Sequence, residues 1–119
     1  MAIQGIKGLL PSLRERKRYV VCEVLSEHPI DGRSVGKAIL SSFLSLFGEA
    51  SLAKAGIQLL PAYTAETKRT ILRIAHTAVS QLKAALLLIQ AIDGQPVIVR
   101  SVAVSGILKK AKSHLVHPL

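Results

Sequence analysis

Strand-like and helix-like segments alternate along this chain in an order that few architectures accommodate. Four segments have strand-like composition, and two carry apolar residues at helical spacing. Their order is strand, helix, strand, strand, helix, strand, and a short final helix follows. This order is typical of ferredoxin-like and RRM-like folds, in which two helices cover one face of a four-stranded antiparallel sheet. We therefore predict an α+β sandwich of the βαββαβ type, with the first and third strands in the middle of the sheet and a C-terminal helix.

The first strand and the first helix are predicted between residues 19 and 48. The strand covers Tyr19 to Leu25, and Asp31 stands where it can cap the helix. Gly48 is placed to end that helix. The residues expected to face the core are Val20, Cys22 and Val24 of the strand and Val35, Ile39, Phe43 and Phe47 of the helix.

A hairpin is predicted in the middle of the chain. Residues 57–63 and 68–75 have strand composition, and the four residues between them suit a hairpin loop. Because proline cannot donate a hydrogen bond to a neighbouring strand, Pro61 assigns the first of these strands to an edge of the sheet.

The last third of the chain is predicted to contain a helix, a strand and a final helix. Thr77 is expected to cap the second helix, which ends before the turn signal Asp93-Gly94. The last strand spans residues 96–104, and Ser105 caps the final helix. The buried stripe of the second helix is expected to be Val79, Leu82, Leu86 and Ile89.

The chain carries a large positive charge on a small, apolar body. Sixteen Lys and Arg against seven Asp and Glu give a formal charge of +9, and 50% of the 119 residues are hydrophobic. That apolar fraction is too high for a disordered basic tail, whereas the charge surplus attracts polyanions. We predict a basic N-terminal arm over residues 1–18 and a single RNA-binding domain over residues 19–119.

The sequence gives no sign of a membrane or secretory address. No segment has the roughly 20 consecutive apolar residues of a spanning helix, and the N-terminus lacks the apolar stretch of a signal peptide. The lone Cys22 has no partner for a disulfide and is expected to be a small buried hydrophobe. We therefore expect a cytoplasmic protein without a membrane partner.

Two basic clusters, one in the arm and one in the final helix, are candidates for phosphate contacts. Such contacts bind RNA without reading its bases, and the planar fork of arginine can hold two phosphate oxygens. The alternative is that the arm is simply a solvated segment. The residues expected to bind RNA are Arg14, Arg16, Lys17, Arg18, Arg73, Lys109 and Lys110.

The outer face of the sheet, opposite the two helices, is predicted to be apolar and basic. RRM domains stack bases on aromatic side chains of the central strands, but the third strand here has none. A mixed surface of this kind usually marks a protein contact, although the final helix could fold back and cover it. The residues predicted to meet a protein partner are Tyr19, Val21, Leu25 and Ile71, with Arg69 and Arg73 beside them.

No arrangement of residues points to catalysis by this chain. The carboxylates are scattered, and none of the four histidines stands beside a nucleophile. His114 and His117 have a spacing that occurs in zinc sites, but no further Cys or His is near them, so no metal or cofactor is expected. A stand-alone nuclease is therefore disfavoured.

Three separated motifs, in order over nearly the whole chain, are similar to those of one known family. They are residues 11–19 (PSLRERKRY), residues 46–55 (LFGEASLAKA) and residues 102–110 (VAVSGILKK). These motifs resemble the archaeal ribonuclease P protein component 2 family, which is related to a subunit of the eukaryotic enzyme. Ala103 departs from the pattern, because a glycine is expected there in that family.

The resemblance implies a non-catalytic subunit of an endoribonuclease that matures the 5′ end of precursor tRNA. In that family the RNA subunit carries the active site and its Mg²⁺. The implied partners are the ribonuclease P RNA and protein component 3, with only indirect contact to precursor tRNA. The alternative is a structural or ribosome-associated RNA-binding protein with a ferredoxin-like fold, which the copurifying RNA would distinguish.

Overall fold

The computed structural model describes residues 16–60 and 68–116 and confirms the predicted α+β fold. The elements are β1 (Lys17–Leu25), α1 (Gly32–Ala55), β2 (Gln58–Leu59), β3 (Arg69–Ala75), α2 (Val79–Leu87), β4 (Ala91–Ile92), β5 (Gln95–Pro96), β6 (Ile98–Ser105) and α3 (Leu108–Val116). The main sheet has the strand order β2-β3-β1-β6 with every neighbouring pair antiparallel, so β1 and β3 are central as predicted.

The main core lies between the inner face of the sheet and the two helices α1 and α2. The alternation of β1 and the four-residue period of α1 place their apolar side chains in this core, as the sequence predicted. Each buried aliphatic or aromatic side chain contributes roughly 1.5–3 kcal/mol by leaving water. The fully buried members from these two elements are Val20, Cys22, Val24, Val35, Ile39 and Phe43.

Helix α1 is longer than predicted. Gly48 does leave the helical conformation, with φ 87° and ψ 172°, but the chain resumes its helix and continues to Ala55. The helix ends at Gly56, whose left-handed backbone lets its N–H donate to the Leu52 carbonyl. Gly48 therefore breaks the helix where the sequence predicted its end, but the second helical piece was not predicted. That piece is held in place because Ala55 is buried in the core and Leu52 packs against it.

By length and composition alone, α1 is apolar enough to cross a membrane. The unbroken part before Gly48 covers residues 32–47, or about 24 Å at about 1.5 Å per residue, which is short of a hydrocarbon layer of roughly 30 Å. Its buried residues pack on the sheet and on α2. One face of α1 therefore packs on the rest of the fold.

Several predicted boundaries shift. Strand β1 begins at Lys17 rather than Tyr19. The described part of the predicted hairpin is the short pairing of β2 with β3, and Pro61 lies outside the described residues. Thr77 belongs to a short 3-10 turn, so Ala78 rather than Thr77 stands at the N-cap of α2.

The turn signal Asp93-Gly94 forms a small hairpin that the sequence did not predict. Both residues have positive φ, 52° and 76°, as a two-residue type I′ turn requires. This turn joins β4 to β5. Strand β6 therefore begins only at Ile98.

Helix α3 folds back over the outer face of the sheet. Ala111 and Leu115 from α3 form a second buried cluster with Val21 and Ile71 from the central strands. Val21 and Ile71 are fully buried in this way, so the exposed apolar patch predicted for them is closed by the chain's own helix. The structure thus confirms the alternative prediction that the final helix covers the outer face of the sheet.

Candidate nucleic-acid interface

The predicted RNA-binding residues that the structure describes converge at one end of the sheet, where β1 begins and β3 and β6 end. Tyr19 marks this end, because it stands directly opposite Arg73 on β3 and opposite Ser105 on β6. Arg14 lies outside the described residues. We call this surface the basic end, and its residues are Arg16, Lys17, Arg18, Arg73, Lys109 and Lys110.

Backbone pairing fixes the first three residues of the basic end beside the end of β3. Lys17 and Arg18 pair with Ala75 and Ile74. The Arg16 carbonyl accepts a hydrogen bond of 2.8 Å from the His76 N–H. The last residues of the predicted arm are thus held to the sheet rather than separate from it.

Arg18 brings the two basic clusters of the sequence together. A Cβ built on Gly106, in the turn before α3, would stand 3.5 Å from Nη1 of Arg18. The same Nη1 donates to the Lys17 carbonyl at 3.1 Å. The Arg18 guanidinium therefore lies next to Gly106, two residues before α3 begins, and Lys109 and Lys110 lie in the first turn of that helix.

Helix α3 presents its lysines outward because its apolar residues face the sheet. Ala111 and Leu115 are buried and Leu108 packs beside them, whereas the lysines between these positions are exposed. No acidic residue lies in the first turn of α3. Cations near a helix N-terminus oppose the helix dipole, so a bound anion there would relieve an unfavourable interaction. The exposed lysines are Lys109, Lys110 and Lys112.

Arg73 is less accessible than the other residues of the basic end. Its side chain is half-buried, and its Nε is buried with no hydrogen-bond acceptor among residues 16–60 and 68–116. Arg16, Lys109 and Lys110 are exposed. Those three are better placed than Arg73 to meet phosphate.

Most described carboxylates lie away from the basic end. Glu23 is in the second half of β1, and Glu27 and Asp31 follow that strand. Asp93 lies near them, because the side-chain carbonyl of Gln95 in the same hairpin accepts a hydrogen bond of 2.8 Å from the His28 N–H. Arg33, Lys68, Arg69 and Arg100 lie at that same end and balance the four carboxylates there. The basic end therefore carries the unbalanced positive charge, and such a field orients a polyanion towards it.

An ion-pair network, which the sequence reasoning missed, lies under the C-terminal end of α3. Glu23 and Arg69 are buried in it, and Arg100 is exposed. Glu23 Oε2 accepts from Arg69 Nε at 3.1 Å, and Glu23 Oε1 accepts from Arg100 Nη2 at 2.7 Å. Arg69 also donates from Nη1 to the His114 carbonyl of α3 at 2.7 Å. The available signal was a single glutamate among the valines of β1, with arginines on both neighbouring strands.

The network shifts the pKa of Glu23. Burial alone would raise this pKa, but the hydrogen bonds and charges of Arg100 and Arg69 outweigh burial and hold it below its ordinary value. Glu23 is therefore a carboxylate at neutral pH, and its charge is balanced by two guanidinium groups.

An exposed apolar surface lies at the end of the sheet opposite the basic end. Leu25, Ile98 and Leu87 are 43%, 61% and 76% exposed. Leu25 and Ile98 line a surface cavity of about 410 Å³, and Ile98 and Leu87 line a second cavity beside it. Of the residues predicted to meet a protein partner, Leu25 is exposed here, and Tyr19 is partly buried beside the cluster under α3.

The part of the chain that the structure describes offers no cluster of three or more His, Cys, Asp or Glu that could hold a metal ion. Cys22 is fully buried, and burial raises the pKa of its thiol to about 12, which leaves no thiolate to act as a nucleophile. His114 is half-buried at the end of α3, and His117 lies outside the described residues. The chemistry available to this surface is phosphate binding by cations.

Comparisons with known proteins point to one group. A model of the Rpp14/Pop5 family matches residues 18–116. "Ribonuclease P protein component 2" of Archaeoglobus fulgidus is 40% identical over 107 residues, which cover 90% of this chain and 94% of that protein. The protein of the same name from Methanosarcina mazei is 35% identical over 106 residues, with 89% of each chain covered.

A solved structure has the same fold. A chain in the cryo-EM structure of yeast ribonuclease MRP superposes with a TM-score of 0.60 and covers 86% of this chain and 87% of its own length. Its sequence identity is 14%. The similarity therefore concerns the fold.

Proposed function

The chain belongs to the Rpp14/Pop5 family, and from that premise we propose that it acts as a non-catalytic protein subunit of ribonuclease P. In this role it binds the RNA subunit and supports the RNA-catalysed removal of the 5′ leader from precursor tRNA. The names of its archaeal relatives, at 31–40% identity over most of the chain, support the assignment to this enzyme.

The observation that carries the proposal is the convergence of the basic residues at one end of the sheet. The arm and α3 are distant in sequence, yet Arg18 lies beside Gly106 in the connection that leads into α3. Cations gathered on a rigid surface neutralise several phosphates at once, and the release of their counterions favours binding. We propose Arg14, Arg16, Lys17, Arg18, Arg73, Lys109 and Lys110 as the phosphate contacts.

The proposed contribution to catalysis is electrostatic. Two RNA molecules repel each other when the enzyme RNA meets its precursor tRNA, and a basic protein at their junction reduces that repulsion. Positioning and charge stabilisation are what phosphodiester cleavage chiefly needs. The Mg²⁺ ions of the reaction are proposed to bind the RNA, and the active site is proposed to be made of RNA.

We propose that protein component 3 is the direct protein partner and that it contacts the exposed apolar end of the molecule. Leu25, Leu87 and Ile98 form an apolar surface away from the basic end, so the RNA and the protein partner can bind at once. We also propose that the protein is cytoplasmic.

Reconstitution of precursor-tRNA cleavage tests the function. A ribonuclease P RNA transcript with component 3 is assayed over a range of Mg²⁺ concentrations, with and without this chain. We expect the chain to increase the cleavage rate and to lower the Mg²⁺ concentration required. The chain without RNA should cleave nothing. Cleavage by the protein alone, or an Mg²⁺ dependence that the chain leaves unchanged, would refute the proposal.

A further inference from the structure

We propose that Arg69 and Glu23 are positioning residues for RNA binding, because they hold α3 on the sheet and so fix Lys109, Lys110 and Lys112 beside the basic end. This inference rests on the proposed function. It assigns a role to two residues that do not themselves meet phosphate, since Arg69 is 2% exposed and Glu23 is 9% exposed.

One buried side chain joins three elements of the fold. Arg69 belongs to β3, and its Nε donates to Glu23 Oε2 of β1 while its Nη1 donates to the His114 carbonyl of α3. His114 lies in the last turn of α3, where carbonyl groups have no N–H partner within the helix. Arg69 therefore supplies the missing donor and fastens the helix end to the sheet.

Glu23 keeps the Arg69 guanidinium in the orientation that reaches α3. Arg100 holds the other carboxylate oxygen, Oε1, with two hydrogen bonds of 2.9 and 2.7 Å. The carboxylate is thereby fixed between two strands, and Arg69 Nε is bound at 3.1 Å. A planar guanidinium held at Nε has little freedom left to rotate Nη1 away from His114.

Helix α3 depends on this contact because it is weak by itself. It has nine residues, whereas isolated helices shorter than about 12–15 residues are marginal in water. Lys109 and Lys110 in its first turn oppose the helix dipole. Its packing on the sheet relies on a small set of apolar side chains, which are Leu108, Ala111 and Leu115.

The two ends of α3 are held in different ways. At its start, α3 is connected through Gly106 to the end of β6, next to Arg18. At its other end, Arg69 holds the His114 carbonyl. Without the Arg69 hydrogen bond, the lysines would stay attached to the molecule but would no longer be held in place, so RNA binding would lose preorganisation rather than charge.

A double-mutant cycle tests the inference. The Lys109→Ala/Lys110→Ala pair is made in the unmodified chain, in Arg69→Met and in Arg33→Met, and binding to a ribonuclease P RNA transcript is measured against salt. Arg33→Met is the matched control, because it also removes one guanidinium charge, but from an exposed position on α1, which covers the opposite face of the sheet from α3. In the unmodified chain, the lysine pair should reduce the slope of log K against log salt by roughly 1.4 to 1.8.

We expect that reduction to persist in Arg33→Met and to shrink to less than half in Arg69→Met. General loss of stability would not produce this pattern, since coupling between sites arises only when one acts through the other. Hydrogen exchange supplies a second readout without RNA: the α3 amides should exchange at least tenfold faster in Arg69→Met, while those of β1 and β3 remain protected.

Equal effects of the lysine pair in all three backgrounds would overturn the inference, as would unchanged protection of α3 in Arg69→Met. If Arg69→Met does not fold, Arg69→Lys replaces it, because a single ammonium keeps the charge but cannot hold Glu23 and His114 in the same fork geometry. If the chain binds ribonuclease P RNA no more tightly than it binds an unstructured RNA, the proposed function is refuted. The positioning role in RNA binding is then refuted as well. Hydrogen exchange would then still report whether Arg69 holds α3, which distinguishes the two failures.

Discussion

Arg69 and Glu23 lie directly opposite each other on the two central strands, and Arg69 Nε donates to Glu23 Oε2 at 3.1 Å beneath the end of α3. Neither residue has more than 9% of its surface exposed. A buried ion pair contributes little net stability compared with apolar residues, but loss of one partner is costly. The Arg69–Glu23 pair is therefore better explained as a contact that positions α3 on the outer face of the sheet than as a source of stability.

The free energy of unfolding should fall more steeply with acid in the unmodified chain than in Glu23→Gln. The pKa of Glu23 is held below its ordinary value of 4.5 in the folded chain, so just below that pH the unfolded chain binds more protons. The contribution of the carboxylate is fully present above pH 4.5 and is lost as the pH falls through the folded pKa. Urea unfolding of both proteins at about pH 3 and about pH 6 measures the difference. Parallel losses in the two proteins would show that Glu23 has no such role.

Cys22 should resist thiol reagents until the chain unfolds. Burial raises the pKa of its thiol to about 12, so almost no thiolate exists at neutral pH in the folded state. The rate of modification, followed with a chromogenic thiol reagent, should track the unfolded fraction as urea increases. Rapid labelling of the native chain would contradict the buried position.

The raised pKa of the Cys22 thiol predicts that the folded chain loses stability in alkali. The unfolded thiol ionises near its ordinary value of 9.0 while the folded thiol does not, so the free energy of unfolding should decline as the pH rises above 9.0. Cys22→Ala should remove this part of the pH dependence and cost about 1 kcal/mol through poorer packing. An alkaline decline that is identical in Cys22→Ala would assign it to other groups.

Gly48 and Gly56 should differ in the substitutions that they tolerate. Gly48 has φ 87° and ψ 172°, a conformation open almost only to glycine, whereas Gly56 has the left-handed helical values 57° and 43° that asparagine also adopts. Gly48→Asn should cost about 1 to 3 kcal/mol through backbone strain alone, since a Cβ there meets no atom of the described residues within 4 Å. Gly56→Asn is the matched control and should cost less than about 1 kcal/mol. Urea denaturation compares the two, and equal costs would contradict the proposed kink.

The sequence predicted those elements whose residues alternate between core and surface in a simple period. The start of β1 was predicted to within two residues because Val20, Cys22 and Val24, which face the core, alternate with outward residues. The extension of α1 beyond Gly48 was missed because glycine signals a kink and a stop equally well. The β4-β5 hairpin was missed because a strand of two residues has no period to detect.

The candidate site was predicted residue by residue but not as an assembly. The basic clusters are visible in the sequence, but the position of Arg18 beside the turn at Gly106 depends on how β6 and α3 meet. The error at Val21 and Ile71 has a similar origin. The sequence showed an apolar outer face, and only the packing of Ala111 and Leu115 reveals that the chain covers it with its own helix.

The position of a lysine, rather than the total charge, should decide its effect on RNA binding. Lys109→Ala/Lys110→Ala removes two exposed cations from the basic end, and the slope of log K against log salt should become shallower by roughly 0.7 to 0.9 for each phosphate that is no longer neutralised. Lys37→Ala/Lys83→Ala removes the same charge from exposed positions on α1 and α2, the helices that cover the opposite face of the sheet. That pair should change the slope by less than half as much, because distant exposed charges are screened beyond about 10 Å at 0.1 M salt. Filter binding at several salt concentrations gives both slopes. Equal slopes would mean that the protein attracts RNA through its net charge alone, and the basic end would then have no special role.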